Sequence, residues 1–174
     1  MNMTSSIQTV RHFYGIALQW LHPLQDVFLF GIRLYWGFLF FQTGWGKLIN
    51  HERTAGYFQS LGIPMPGLNA FVAGSTECFG GLLLLLGLAS RIISLPLAFT
   101  MCIALLTAFG SNIAQSYHSE GFMEALGTLT GADPFPFLMT ALIVLLFGPG
   151  RISLDAAIGR FCCKQAENKN SKPH

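Results

Sequence analysis

Arginine is seldom set inside an apolar run, and this chain sets one there. Between Arg33 and Lys47 lie thirteen uncharged, mostly apolar residues, in RLYWGFLFFQTGWGK. The only acid in comparably apolar sequence is Glu77, in AGSTECFGG. A charge at mid-bilayer costs about 2.5–3.5 kcal/mol on insertion scales, so it is retained with a partner or a task. The expectation is a membrane-embedded bundle in which Arg33 and Glu77 meet and form a polar centre.

Composition supports the membrane part of that reading. Charged residues are 10% of the 174 and hydrophobic residues 52%. Ordinary soluble domains carry about 25% charged residues. Sixteen phenylalanines and nineteen glycines suit transmembrane helices. The net charge of +2 collects in the C-terminal tail, which suits a membrane surface and not nucleic acid. No signal-peptide pattern occupies residues 1–25, so the first hydrophobic segment is expected to act as an uncleaved anchor.

Residues 1–26 read as an N-terminal interfacial segment. Apolar residues recur at Ile7, Val10, Tyr14, Ala17, Leu21 and Leu24, which is helical spacing, with a stop near Pro23. The membrane domain covers 27–158, with spans at about 27–49, 68–89, 92–110 and 134–150. A crossing needs about 20 residues at about 1.5 Å each. The 50–67 and 111–133 connections are loops, the second with a short helix over 119–129. Residues 159–174 read as a disordered cytoplasmic tail. The fold class is an all-α, four-helix antiparallel membrane bundle with the interfacial helix in front.

Charge gives the orientation. Four spans put both termini on one side, with Arg11, Arg91, Arg151, Arg160, Lys164, Lys169 and Lys172. Lys47 and Arg53 hold the other side. Seven against two places both termini in the cytoplasm.

The polar centre is built from spacing. Glu77 lies near the middle of span two, flanked by Gly74 and Gly81 at offsets of three and four, so small residues admit a neighbouring helix there. Arg33 lies about 7–8 Å along the axis from the middle of span one, within reach of a long guanidinium side chain. Gln42 and Thr43 extend the polar track or simply bond across helices. Lys47 snorkels to the interface. The pair serves either as a register lock between two helices or as a site for a quinone headgroup, a proton or a small solute.

Other features are plainer. Cys78, Cys102, Cys162 and Cys163 form no C-x-x-C and read as small buried hydrophobes and reduced thiols. His51-Glu52 and His118-x-Glu120 match no strong metal spacing, and no metal site is expected. Nucleotide-loop, nucleophile-elbow and H-E-x-x-H motifs are absent.

Four stretches, in order, resemble DoxX-type membrane proteins. They are RLYWGFLFFQTGWGKL (33–48), YFQSLGIP (57–64), the run from Glu77 to Arg91, and GPGRISLD (148–155). The resemblance implies a four-helix bundle in the bacterial inner membrane. It also implies a subunit supporting a redox or quinone-linked process with partner proteins, since the family name derives from a thiosulfate:quinone oxidoreductase subunit. This chain lacks the cysteine pair or haem motif of a self-sufficient redox enzyme. Its four-helix form is similar to vitamin K epoxide reductases, without their C-x-x-C. The alternatives are a small proton-coupled permease and a non-catalytic membrane scaffold.

Overall fold

The computed structural model describes the backbone of residues 3–159 and the side chains of residues 23–159. It is an all-α membrane bundle. Helix α1 runs Met3–Ile49, α2 His51–Ser60, α3 Pro66–Leu86 and α4 Ser90–Ala104. A π-helical turn, Leu105–Phe109, joins α4 to α5 (Gly110–Glu120) without a break. Helices α6 (Phe122–Gly131) and α7 (Pro134–Phe147) follow. Among the described residues, three helical stretches are long and apolar enough to cross a membrane: Pro23–Ile49, Pro66–Leu86 and Ser90–Glu120. A fourth crossing requires α6 and α7 together, and they are bent by 82°.

Three boundaries depart from the sequence expectation. Pro23 lies inside α1 instead of ending it. Proline removes one donor from the ladder, and helices in apolar surroundings tolerate that loss. The third span does not stop at Gly110, because the extra residue of the π turn is absorbed and the helix continues to Glu120. The fourth span is only the 14 residues of α7, about 21 Å of rise, short of a ~30 Å core. The proposed disordered tail lies outside the described residues, apart from Gly159.

Glycine sets how α1 meets α3. The buried face of α1 carries Leu29, Arg33, Gly37, Phe40 and Gly44, at steps of four, four, three and four. The buried face of α3 carries Ala70, Gly74, Glu77, Gly81 and Leu84. A Cβ on Gly44 would lie 2.7 Å from the Gly74 carbonyl oxygen, and one on Gly81 2.7 Å from the Gly37 carbonyl oxygen. The two backbones therefore touch, as small-residue faces allow in membranes. The apolar core lies beside this seam, where Phe40 and Leu84 meet Leu97, Met101, Ala141 and Val144. Phe137 fills the gap edge-on to Trp36 and Phe40, at ring separations of 5.0 and 4.7 Å. Outside, Phe38, Phe71, Phe79, Phe99 and Leu146 stay exposed around the perimeter, the surface that lipid covers.

Helix α3 ends at Gly87, whose φ of +71° is the left-handed geometry that glycine adopts without strain. Leu88 N–H then donates to the Leu83 carbonyl at 2.9 Å, closing the helix end. The chain turns at Ala89 and enters α4.

Candidate functional site

The structure separates Arg33 from Glu77. Glycine contacts place Glu77 level with Gly44, eleven residues and about 16 Å along α1 from Arg33. Side chains on a helix also lean toward its N-terminus. Arg33 therefore leans away from Glu77, and Lys47 leans down into the bundle toward it. The expected Arg33–Glu77 pair is replaced by a Lys47–Glu77 pair, in which Lys47 Nζ donates to both carboxylate oxygens. Lys47 is thus a member of the buried site and not an interface anchor. Glu77 is 1% exposed and the Lys47 side chain 31%, so the lysine carries the pair's link to the surroundings.

Arg33 organises the other end of the bundle. Its guanidinium donates through Nη2 to the Ile152 carbonyl, and Phe30 lies 5.9 Å from the guanidinium carbon. Its electrostatic counterpart is Asp155. That carboxylate accepts from Ala89 N–H at 2.8 Å and Ser90 N–H at 3.1 Å, which caps the start of α4. Asp155 N–H in turn donates to the Gly87 carbonyl at 3.0 Å. Asp26 accepts from Arg151 N–H at 2.9 Å. The stretches at 33–48, 87–91 and 148–155 thereby converge on one clasp. Gly87 has no room for a side chain, because a Cβ would sit 2.8 Å from Ser153 Cβ and against the Arg33 guanidinium. We expect Arg33→Met to loosen this clasp. Hydrogen exchange at the Asp155 amide should rise about tenfold, the scale of one charged hydrogen bond. Unchanged exchange there would show that Arg33 does not hold the segment.

At the Lys47 end, a cavity of about 1180 Å³ opens between α1, α2, α3, the α4–π–α5 helix and the start of α7. Lys47 and Glu77 line it, with Thr43, Asn50, Arg53 and Asn69 among its polar groups. Val72, Ala73, Phe99, Ile103 and Ala104 supply apolar wall. Of the expected supporting residues, Thr43 lines the cavity while its hydroxyl donates to the Phe40 carbonyl at 3.1 Å. Gln42 is exposed and lies outside the cavity lining, so it does not extend the polar track. Gly74 and Gly81 form the helix seam, where a Cβ on Gly74 would meet Lys47 Cβ at 3.3 Å. Cys78 is buried and Cys102 exposed, both as free thiols, so Cys102 is not the buried hydrophobe expected of it.

Sequence reasoning missed Lys47 as the carboxylate's partner, and Asn50, Arg53 and Asn69 as wall. A usable signal was present. Gly37 and Gly44 are seven residues apart, as are Gly74 and Gly81. Pairing the two sets antiparallel puts Glu77 near Gly44 and Arg33 near the end of α3.

Comparison with known proteins agrees with this architecture. The DoxX family pattern matches residues 28–110. The chain is 34% identical over 142 residues to the inner membrane protein YqjF of Escherichia coli, covering 80% of this chain and 98% of that one. It is 36% identical over 76 residues to the putative oxidoreductase CatD of Bacillus subtilis, covering 44% of this chain and 55% of that one. An uncharacterized membrane protein of Mycobacterium tuberculosis is 30% identical over 134 residues, 74% of this chain and 80% of its own. No solved structure matches. A chain with this helical membrane architecture, this pattern match and a relative aligned over nearly its whole length belongs to the DoxX family.

Proposed function

We propose that the protein is an inner-membrane subunit that holds a quinone headgroup at the Lys47–Glu77 pair, in support of a redox process run with partner proteins. The observation that carries this is a buried carboxylate, ion-paired to lysine, in the wall of a large and mainly apolar cavity. Ligand sites have this form, with apolar walls and a few placed polar groups. An ionisable residue within a membrane segment is a functional candidate by default. Two relatives named as an inner membrane protein and a putative oxidoreductase point the same way.

The residues present fit a quinone. A quinone supplies two-electron, two-proton chemistry in the bilayer. Lys47 Nζ is a donor suited to a quinone carbonyl oxygen. Glu77 is an acceptor suited to a quinol hydroxyl, able to hold the proton that the hydroxyl gives up. Val72, Phe99 and Ile103 keep water from the headgroup. In this reading the partner protein supplies the electrons.

The test is quinone content after purification in native-lipid discs. The wild-type protein should retain quinone above the level of the surrounding lipid, and Glu77→Gln should lose that excess. Wild-type retention equal to the lipid level defeats the proposal. Uptake of a solute driven by a pH gradient in proteoliposomes, without quinone retention, would instead make the same pair part of a permease.

The orientation proposed is with both termini in the cytoplasm, from the basic-residue bias. Asp26, Arg91 and Arg151 gather at the clasp end, away from the cavity. Ser119→Cys should then react with an impermeant maleimide applied to intact cells, and Ser171→Cys should not. The reverse pattern inverts the topology.

A further inference from the structure

The cavity has a polar end and an apolar end, and the two helices at the apolar end diverge. Helices α3 and α4 pack tightly near the turn that joins them, where a Cβ on Gly80 would meet Leu97 Cδ2 at 2.9 Å. Further from the turn they are parted by the cavity. Val72, Ala73 and Thr76 line it from α3, and Phe99, Thr100 and Ile103 from α4. Val72 is 50% exposed and Phe99 68%. Phe99 lies nine residues into α4, about 14 Å from the turn, and Val72 lies fourteen residues from the end of α3, about 21 Å from it. Both depths fall within a ~30 Å hydrocarbon core. Exposed apolar side chains at that depth face lipid, so the cavity wall and the lipid surface are continuous here.

We infer that the cavity is loaded sideways from the bilayer, through the cleft between α3 and α4, by an amphipath whose isoprenoid or acyl chain stays in the cleft. This rests on the quinone reading for the head and adds the route and the tail. Two further observations agree on it. The volume, about 1180 Å³, exceeds the roughly 300–1,000 Å³ of an ordinary small-molecule pocket, so a headgroup alone leaves it unfilled. The charged and amide side chains Lys47, Asn50, Arg53 and Asn69 lie at the end of α1, on α2 and at the start of α3, while between α3 and α4 the lining is Val72, Ala73, Phe99 and Ile103, with only the hydroxyls of Thr76 and Thr100 among them. A ligand with its head at Glu77 therefore directs its chain toward α4 and the lipid. Thr100 is the side chain at which that chain is expected to pass, since its hydroxyl is already bonded to the Pro96 carbonyl at 2.9 Å and offers no polar demand.

The experiment compares a long-chain ubiquinone with a tailless benzoquinone on the purified protein in lipid discs. Thr100→Trp should weaken the long-chain quinone about tenfold, because about two buried methylenes lose their place at about 0.8 kcal/mol each. It should leave the tailless quinone within about twofold. Equal weakening of both, or of neither, overturns the inference. Access is read separately with a nitroxide at Thr100→Cys, in a variant whose four native cysteines are alanine. Dissolved oxygen should relax that label more strongly than a water-soluble nickel chelate. The opposite order overturns sideways entry whatever binds. If neither quinone binds the wild-type protein, the quinone reading falls, and the nitroxide result still decides the cleft.

Discussion

Gly44→Ala is expected to lower the unfolding midpoint in detergent by about 10 °C or more. A Cβ at this position would lie 2.7 Å from both the Gly74 carbonyl oxygen and the Glu77 carbonyl carbon. These are backbone atoms of α3, which cannot rotate aside as a side chain can. The helices must separate instead. Overpacking a core commonly costs about 1–3 kcal/mol, and a backbone obstacle belongs at or above the upper end. For a chain of this size each kcal/mol moves the midpoint by about 2–4 °C. Separation here also draws Lys47 away from Glu77, so the ion pair weakens with the packing. Gly46→Ala is the matched control, because nothing lies within 4 Å of a Cβ there. It should be neutral or slightly stabilising, since alanine favours a helix by about 0.8–1.0 kcal/mol over glycine. Midpoints for the two variants within about 2 °C of each other would show that α1 and α3 do not touch at Gly44.

The membrane bundle was legible in the sequence because its signals are compositional and periodic. The apolar run around Arg33, the one acid at Glu77 and the glycines at 74 and 81 all lie where helices meet. Partnership was harder. Placing Glu77 and Arg33 by span midpoints assumed that the two spans share a centre. The glycine seam instead offsets them by about two turns, and the lean of helical side chains moves Arg33 and Lys47 in the same direction. That lean takes Arg33 into the clasp with Ile152 and Asp155. No local pattern announces such a contact, because Arg33 and Ile152 are 119 residues apart in sequence. The extension of the third span through a π turn was equally hidden. Gly110, Ser111 and Asn112 read as the end of a helix, yet the helix runs through them to Glu120.

Lys47→Met should destabilise the protein more than Glu77→Gln, although each removes one partner of the same pair. With lysine gone, the Glu77 carboxylate is left buried at 1% exposure with no other donor in hydrogen-bond contact among the described residues. Breaking a buried pair in this way costs about 3–5 kcal/mol. With glutamate neutralised, the lysine is less constrained. Its side chain is already 31% exposed and can extend toward the interface, so the cost stays near about 1–3 kcal/mol. The double variant should recover part of the Lys47→Met loss, because no charge is then left unpaired. Unfolding midpoints for the four proteins close the cycle and give the coupling directly. Equal losses in the two single variants would mean that the Lys47 pair does not hold the Glu77 carboxylate. Arg33→Met supplies the decisive contrast. Combined with Glu77→Gln, it should be additive within about 0.3–0.5 kcal/mol, as for groups without shared partners. A larger coupling would return Arg33 to Glu77 and remove Lys47 from the site.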